Sequence, residues 1–318
     1  MPRNRPRVVL AGKTQRERRK QRAGIRLKDF TISARTRARY EAAVSRILPF
    51  LEAQESLADL DGVVCEWIEL QWCRGESLGH IADALSGIHF FRPDLKGCLR
   101  QGWRMFKSWR QIEAPQRAPP LTWGIVTALI ARAVEKADVV FAAIIGLAFH
   151  CLLRTGEFLA LQYKDLELSS TTGICSLLSS KSGLRTGTEE AVAIRDPLVL
   201  NLLRTAQELH QHCPGQRLWP HSAQSFRDRF RSYLSFFRLC HLGMKPYSLR
   251  RGGATFLLQE RVPLDVILLR GRWKSLAVAR IYLQDGLSQI PHLRISKSDA
   301  ARLSVFSAQC PLTALRPC

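Results

Sequence analysis

Periodicity along the chain points to a protein that is mainly α with a small antiparallel β-sheet, a helical domain followed by a mixed α/β domain. Three features carry this reading. Apolar residues recur at helical spacing from about residue 29 to 110, with no strand alternation among them. A proline-rich break falls at 115–120. Beyond it, helical patterns enclose two short strand-like runs, 174–179 and 189–194.

Residues 1–27 read as a basic, disordered arm, and 28–112 as the helical domain. Tyr40, Ala43, Val44, Ile47, Leu48 and Leu51 form one stripe of an amphipathic helix, with Thr36 as its N-cap. Its polar face carries Arg35, Arg37, Arg39 and Arg46. Shorter helical patterns follow at 63–73, 78–87 and 97–109. Residues 113–120 hold Pro115, Pro119 and Pro120 and read as a linker, because proline fixes φ and biases its predecessor away from helix.

The second domain, 121–290, opens with Thr122 capping a helix through Arg132, followed by a buried helix at 144–153. The strand-like runs flank a Ser/Lys/Gly/Thr-rich connection at 180–188 and suggest a β-hairpin. Helical pattern resumes after Pro197. There Phe226, Phe230, Tyr233, Leu234 and Phe237 make an aromatic stripe that reads as core. Residues 291–318 are a C-terminal tail with Arg294, Lys297, Arg302 and a moderately apolar stretch at 303–306.

Composition narrows the partners. The 318 residues are 46% hydrophobic, ordinary for a globular chain, but Lys+Arg outnumber Asp+Glu by 48 to 27. Residues 1–24 supply +8 of the net +21, so the folded body is itself basic. A polyanion, nucleic acid first and an anionic membrane surface second, is the partner that this charge favours. The nine cysteines contain no CxxC pair, which speaks against a zinc site or a disulfide framework and for reduced thiols. The N-terminus lacks an apolar signal core, and the longest apolar run, about 15 residues at 139–153, is short for a membrane span. The expected setting is intracellular: nuclear in a eukaryote, where residues 16–22 would serve as a targeting signal, and cytoplasm or nucleoid in a bacterium.

Three segments carry candidate chemistry. In the first, His150-Cys151-Leu152-Leu153-Arg154-Thr155-Gly156-Glu157, an arginine emerges from an apolar helix three residues before a carboxylate. Such an arginine is either paired with Glu157 or aimed at an anion. In the second, Tyr247-Ser248-Leu249-Arg250-Arg251-Gly252-Gly253, the glycines allow either close helix packing or approach of a phosphate backbone. A solvated basic turn is the plainer reading. In the third, Gly271-Arg272-Trp273-Lys274-Ser275, Gly271 ends one helix and Ser275 caps a short helix bearing Tyr282.

Together these segments resemble the catalytic domain of the tyrosine recombinase, or phage integrase, family. Arg154 and Glu157 match the first-arginine box, and Leu249-Arg250-Arg251-Gly252-Gly253-Ala254-Thr255 the second. Trp273 stands nine residues before Tyr282, the family's spacing between its His-or-Trp position and the nucleophile. Lys181 sits where the family keeps a mobile catalytic lysine. The unit before the linker is similar to the family's core-binding domain, whose first helix Thr36-Arg37-Ala38-Arg39-Tyr40 resembles. Tyr247 departs from the pattern, since the family usually has histidine three positions before the second arginine.

The resemblance implies a metal- and ATP-independent transesterification of double-stranded DNA. Tyr282 would attack a phosphodiester to give a 3′-phosphotyrosyl link and a free 5′-hydroxyl. Arg154 and Arg250 would stabilise the non-bridging oxygens, and Lys181 would protonate the leaving oxygen. Tyr247 and Trp273 would donate orienting hydrogen bonds, while Glu157 would orient Arg154. Arg35, Arg37, Arg39, Arg251, Arg272 and Lys274 are candidate DNA contacts. The two domains would clamp the duplex, and the tail would either fray or dock on a neighbour in a homotetramer on DNA. No cofactor or metal is expected. A phenol with pKa near 10 is a poor base at neutral pH, so Tyr247 keeps a catalytically weakened or idle DNA-binding relative open. A type IB topoisomerase-like relaxing enzyme and a packaging protein without a site are further alternatives.

Overall fold

The computed structural model describes residues 14–23, 31–52, 59–113, 117–177, 190–209, 215–283 and 285–310. The chain divides into two compact units, Met1–Gln116 and Arg117–Cys318.

The first unit is helical in every described element. Within the stretch expected to be disordered, Gln15–Arg22 forms α1. The reason is a capping box: Thr14 Oγ1 accepts the Glu17 N–H at 3.2 Å and Glu17 Oε2 accepts the Thr14 N–H at 2.9 Å. The remainder of the expected arm, 1–13 and 24–27, lies outside the described residues.

Helix α2 (Ala34–Glu52) begins one turn earlier than expected. Ser33, not Thr36, is its cap, since Ser33 Oγ accepts the Thr36 N–H at 3.1 Å. The expected stripe turns Ala43 and Ile47 into the core, while Leu48 stays 42% exposed. Helices α3 (Leu60–Cys73), α4 (Leu78–Phe91) and α5 (Arg100–Ile112) complete the unit around Val64, Trp67, Ile81, Leu85 and Trp109. Asp61 on α3 accepts the first N–H groups of α5, Gln101 at 2.8 Å and Gly102 at 2.9 Å, so a carboxylate satisfies a helix start.

The second unit opens with α6 (Trp123–Glu135) and α7 (Val139–His150). Nine residues of α7 are buried, which explains its lack of any polar face. A one-turn helix, α8 (Thr155–Phe158), leads to β1 (Leu166–Leu168), β2 (Gly173–Ser176) and β3 (Ala191–Ile194). These form an antiparallel sheet in the order β1-β2-β3, with Cys175 paired to Leu166 and Val192. The sheet thus contains the expected hairpin strands and adds β1. The connection at 178–189, including Lys181, lies outside the described residues.

Helices α9 (Pro197–Leu209) and α10 (Ala223–Phe236) follow. The aromatic stripe of α10 is core as expected, with Phe226 and Phe230 at most 1% exposed. Then come α11 (Tyr247–Gln259), α12 (Leu264–Gly271) and α13 (Leu276–Ala279). Helix α14 (Asp285–Arg294) runs through the expected boundary at 290.

The last helix, α15 (Lys297–Gln309), lies on α6 of its own unit. Leu303 is buried, Phe306 stands edge-on to Phe236 and Phe237, and Arg302 lies 3.9 Å over the Phe236 ring. Residues 297–309 are therefore packed on their own unit and not frayed. Among the described residues no helix is long and apolar enough to cross a membrane.

Candidate active site

Arg154 reaches its place through a forced turn. After α7 the buried Leu152 takes φ 50°, which breaks the helix and lets Arg154 cap α8. Glu157, 7% exposed, answers it twice: Oε2 accepts the Arg154 backbone N–H at 2.8 Å, and Oε1 accepts from Nη1 at 2.6 Å. The pair is therefore real, and the arginine side chain remains 28% exposed. Burial alone would raise the Glu157 carboxyl, but Arg272 and then Arg154 outweigh it and hold it below the usual value.

Helix α11 brings Arg250 beside this pair. A Cβ on Gly252 would lie 2.0 Å from the Leu121 carbonyl oxygen, and one on Gly253 2.0 Å from that of Phe149. The two glycines serve close backbone packing. Arg250 is fully buried, with Nη1 donating to the Leu152 carbonyl and Nη2 to that of Gly271 at 2.5 Å. Burial, then the charges of Arg154 and Arg272, bring its guanidinium down to about 10. Arg251, expected on DNA, is instead 1% exposed and donates to the Ala118 carbonyl. Its fork ties the start of the unit to α11.

The segment after α12 supplies the aromatic part. Arg272, not Gly271, takes the left-handed conformation that ends α12, at φ 54°. Glycine is required at 271 for a different reason: a Cβ there would lie 2.1 Å from the Trp273 ring. Ser275 caps α13 as expected, accepting the Val278 N–H at 3.4 Å. That helix ends at Ala279, so Tyr282 sits in the turn beyond it, its N–H donating to the Ala279 carbonyl at 2.7 Å. Thr255 of α11 donates to the Tyr282 carbonyl at 3.1 Å and fixes the turn.

The Tyr282 ring lies 4.6 Å from that of Trp273 and 5.9 Å from that of Tyr247, centroid to centroid. The Arg250 guanidinium stands 4.9 Å from the Trp273 ring and 5.2 Å from the Tyr282 ring. Burial pushes the Tyr282 hydroxyl up, but the Tyr247 hydroxyl donating to it, the Arg250 charge, the Trp273 indole and the Arg154 charge together lower it below the ordinary phenol value. Trp273 Nε1–H is buried and reaches no acceptor in full hydrogen-bond geometry, so its pull is weak. Tyr247 moves the opposite way. Burial, its bond to Tyr282 and the neighbouring phenol's charge hold it well above the ordinary range, so it keeps its proton. Of the two neighbouring phenols, Tyr247 holds its proton more tightly than an ordinary phenol and Tyr282 less tightly.

The fold thus gathers Arg154, Glu157, Tyr247, Arg250, Trp273 and Tyr282, and it adds Arg272, which sequence reasoning had sent to DNA. Arg272 is 8% exposed at its side chain and lies 2.6 Å from Glu157 Oε2. No sequence signal marked that role, because the direction of a side chain from a left-handed backbone is a tertiary fact. Lys274 is exposed. Lys181 lies outside the described residues. In the first unit Arg35 is exposed, Arg37 lies 5.5 Å over the Phe90 ring, and Arg39 forms a bidentate pair with Asp83 at 2.9 and 2.5 Å. Among the described residues no group of His, Cys, Asp and Glu could hold a metal ion.

Comparison with known proteins bears on family and fold. The model of the phage integrase family matches residues 125–287. No curated protein matches in sequence. Among solved structures, a lambda integrase dimer bound to a COC′ core site is 16% identical, with a TM-score of 0.55 over 81% of this chain and 92% of that one. The Tn1549 transposon integrase in complex with circular intermediate DNA is 14% identical, with a TM-score of 0.53 over 86% of this chain and 97% of that one. At these identities the likeness is one of fold. With the family model spanning half of its length and a tyrosine gathered with two arginines at the expected places, the chain belongs to the phage integrase family of tyrosine recombinases.

Proposed function

We propose that this protein cleaves and rejoins duplex DNA as a site-specific strand transferase, with Tyr282 as nucleophile. One observation carries the reading. The Tyr282 ring is gathered with the Trp273 ring at 4.6 Å, the Tyr247 ring at 5.9 Å and the Arg250 guanidinium at 5.2 Å. The Tyr282 oxygen, its proton given up to solvent, attacks phosphorus as the bond to the 5′-oxygen breaks, leaving a 3′-phosphotyrosyl ester and a 5′-hydroxyl. Arg154 neutralises charge on the non-bridging oxygens, and Arg250 does so once its fork turns from the carbonyls. Tyr247 supplies a hydrogen bond and not a base, and Lys181 protonates the departing oxygen. The ester energy is retained in the phosphotyrosyl bond, so a second 5′-hydroxyl reverses the step without ATP. DNA binding is carried over from the lambda and Tn1549 complexes, and we read the working assembly as a homotetramer on DNA.

A second reading keeps the DNA and drops the reaction. It draws on the Arg250 fork, occupied by the carbonyls of Leu152 and Gly271, and on Tyr247 in place of histidine. A nicked suicide substrate decides between the two. The active enzyme becomes trapped on DNA, the adduct vanishes in Tyr282→Phe, and its phosphopeptide contains Tyr282. Binding without any adduct at any pH from 6 to about 9, the range below an ordinary phenol pKa, would select the idle relative.

A further inference from the structure

Arg272 holds a left-handed conformation that an L-residue adopts less readily than glycine. At φ 54° and ψ 43°, glycine would be the easier choice. What arginine adds there is a buried cation with four neighbours. Nη2 lies 2.6 Å from Glu157 Oε2 and 3.3 Å from the Leu152 carbonyl oxygen, Nη1 lies 3.3 Å from the Arg270 carbonyl, and Nε lies 3.4 Å from Glu190 Oε2. The same Glu157 oxygen stands 3.9 Å from Arg250 Nη1. One carboxylate is therefore shared by three guanidinium groups, and Arg272 takes the near side of the oxygen that Arg250 would otherwise reach.

The electrostatic consequence follows from distance. An ion pair in contact cancels far more of a cation's field than one separated by a further ångström or more. With Glu157 held by Arg272, the Arg250 charge beneath the Tyr282 ring is cancelled less. The other groups facing Tyr282 are Tyr247 and Arg251 from α11 and Arg154 from the turn before α8. Those facing Arg272 are Arg250, Glu157, Glu190 and the buried thiols of Cys151 and Cys175, which burial keeps protonated.

We propose that Arg272 is a positioning residue for the nucleophile: it anchors Glu157 away from Arg250, so that less of the Arg250 charge is cancelled where it faces the Tyr282 phenol. This rests on Tyr282 being the nucleophile. Arg272 itself reaches neither phenol nor phosphate in this role. It also joins the segment bearing Trp273 to Glu190, the residue before β3.

The test uses the full chain with ¹³Cζ-labelled tyrosine, whose five phenols are few enough to assign, Tyr282→Phe identifying the signal of interest. Arg272→Gly suits the backbone and removes the cation, while Arg272→Lys keeps a charge without the fork. In Arg272→Gly the Tyr282 phenol titrates at higher pH than in the parent, and Arg272→Lys lies between. Single-turnover cleavage of the suicide substrate falls about tenfold or more in Arg272→Gly at neutral pH. DNA affinity stays within about twofold, and the deficit narrows as pH rises toward the phenol range. An unchanged Tyr282 titration in folded Arg272→Gly overturns the proposal, as does cleavage at the parent rate. Should the glycine variant not fold, the lysine variant decides by the same titration, a shift supporting the proposal and no shift ending it. Failure of the parent to form any adduct defeats the transferase reading instead, and the titration still judges Arg272.

Discussion

His150 shows how one buried side chain sets a pH limit on stability. Its ring lies 4.7 Å from that of Trp123 and 6.3 Å from that of Phe256, with Nε2 3.3 Å from Asp196 Oδ2. Burial brings its pKa down to about 4; Asp196 opposes this and Arg270 adds to it. The folded state thus prefers the neutral ring, while the unfolded chain takes a proton near 6.5. The stabilisation is present above pH 6.5 and is lost as pH falls toward 4, about 3 kcal/mol across that window. His150→Phe is expected to flatten this limb, so that its urea midpoint drops less between pH 7 and 4.5 than the parent's. The sequence displayed His150 at the head of the first-arginine box but not its role. Arg250 and Tyr282 were legible only through the family resemblance of the boxes that hold them, since each segment alone reads as ordinary structure. The burial of Arg251 and Arg272 was not, since a basic residue beside a basic site reads as a DNA contact until its neighbours are known.

Helix α11 depends on what it lacks. At Gly253 a Cβ would meet the Phe149 carbonyl oxygen at 2.0 Å and the Leu152 side chain at 2.7 Å, and only the side chain can yield. Gly253→Ala is expected to destabilise the protein by about 3 kcal/mol, read as a lower denaturant midpoint with unchanged m. The helices were legible in the sequence because their apolar faces repeat over three or more turns. Strand β1, only Leu166-Glu167-Leu168, offers too few residues for an alternation to register. Helix α1 carries its own sequence signal, the Thr14-x-x-Glu17 capping box. The turn carrying Tyr282 looked helical because Ser275 does cap a helix, yet that helix lasts a single turn.

The charge of +21 sets expectations for the full chain. If half a dozen or more cations meet phosphates, affinity for its DNA site falls roughly a thousandfold between about 50 and 200 mM salt. Filter binding across that series checks the figure, and a flat response would mean that the excess charge faces elsewhere. The Arg250 guanidinium, meanwhile, is sealed under Trp273 and Tyr282 with both amino groups on carbonyl oxygens. No phosphate can touch it until that aromatic cover lifts. On the proposed chemistry, an incoming phosphate group meets Arg154, whose side chain is 28% exposed, before it can meet Arg250, so engaging the second arginine requires the turn bearing Tyr282 to shift.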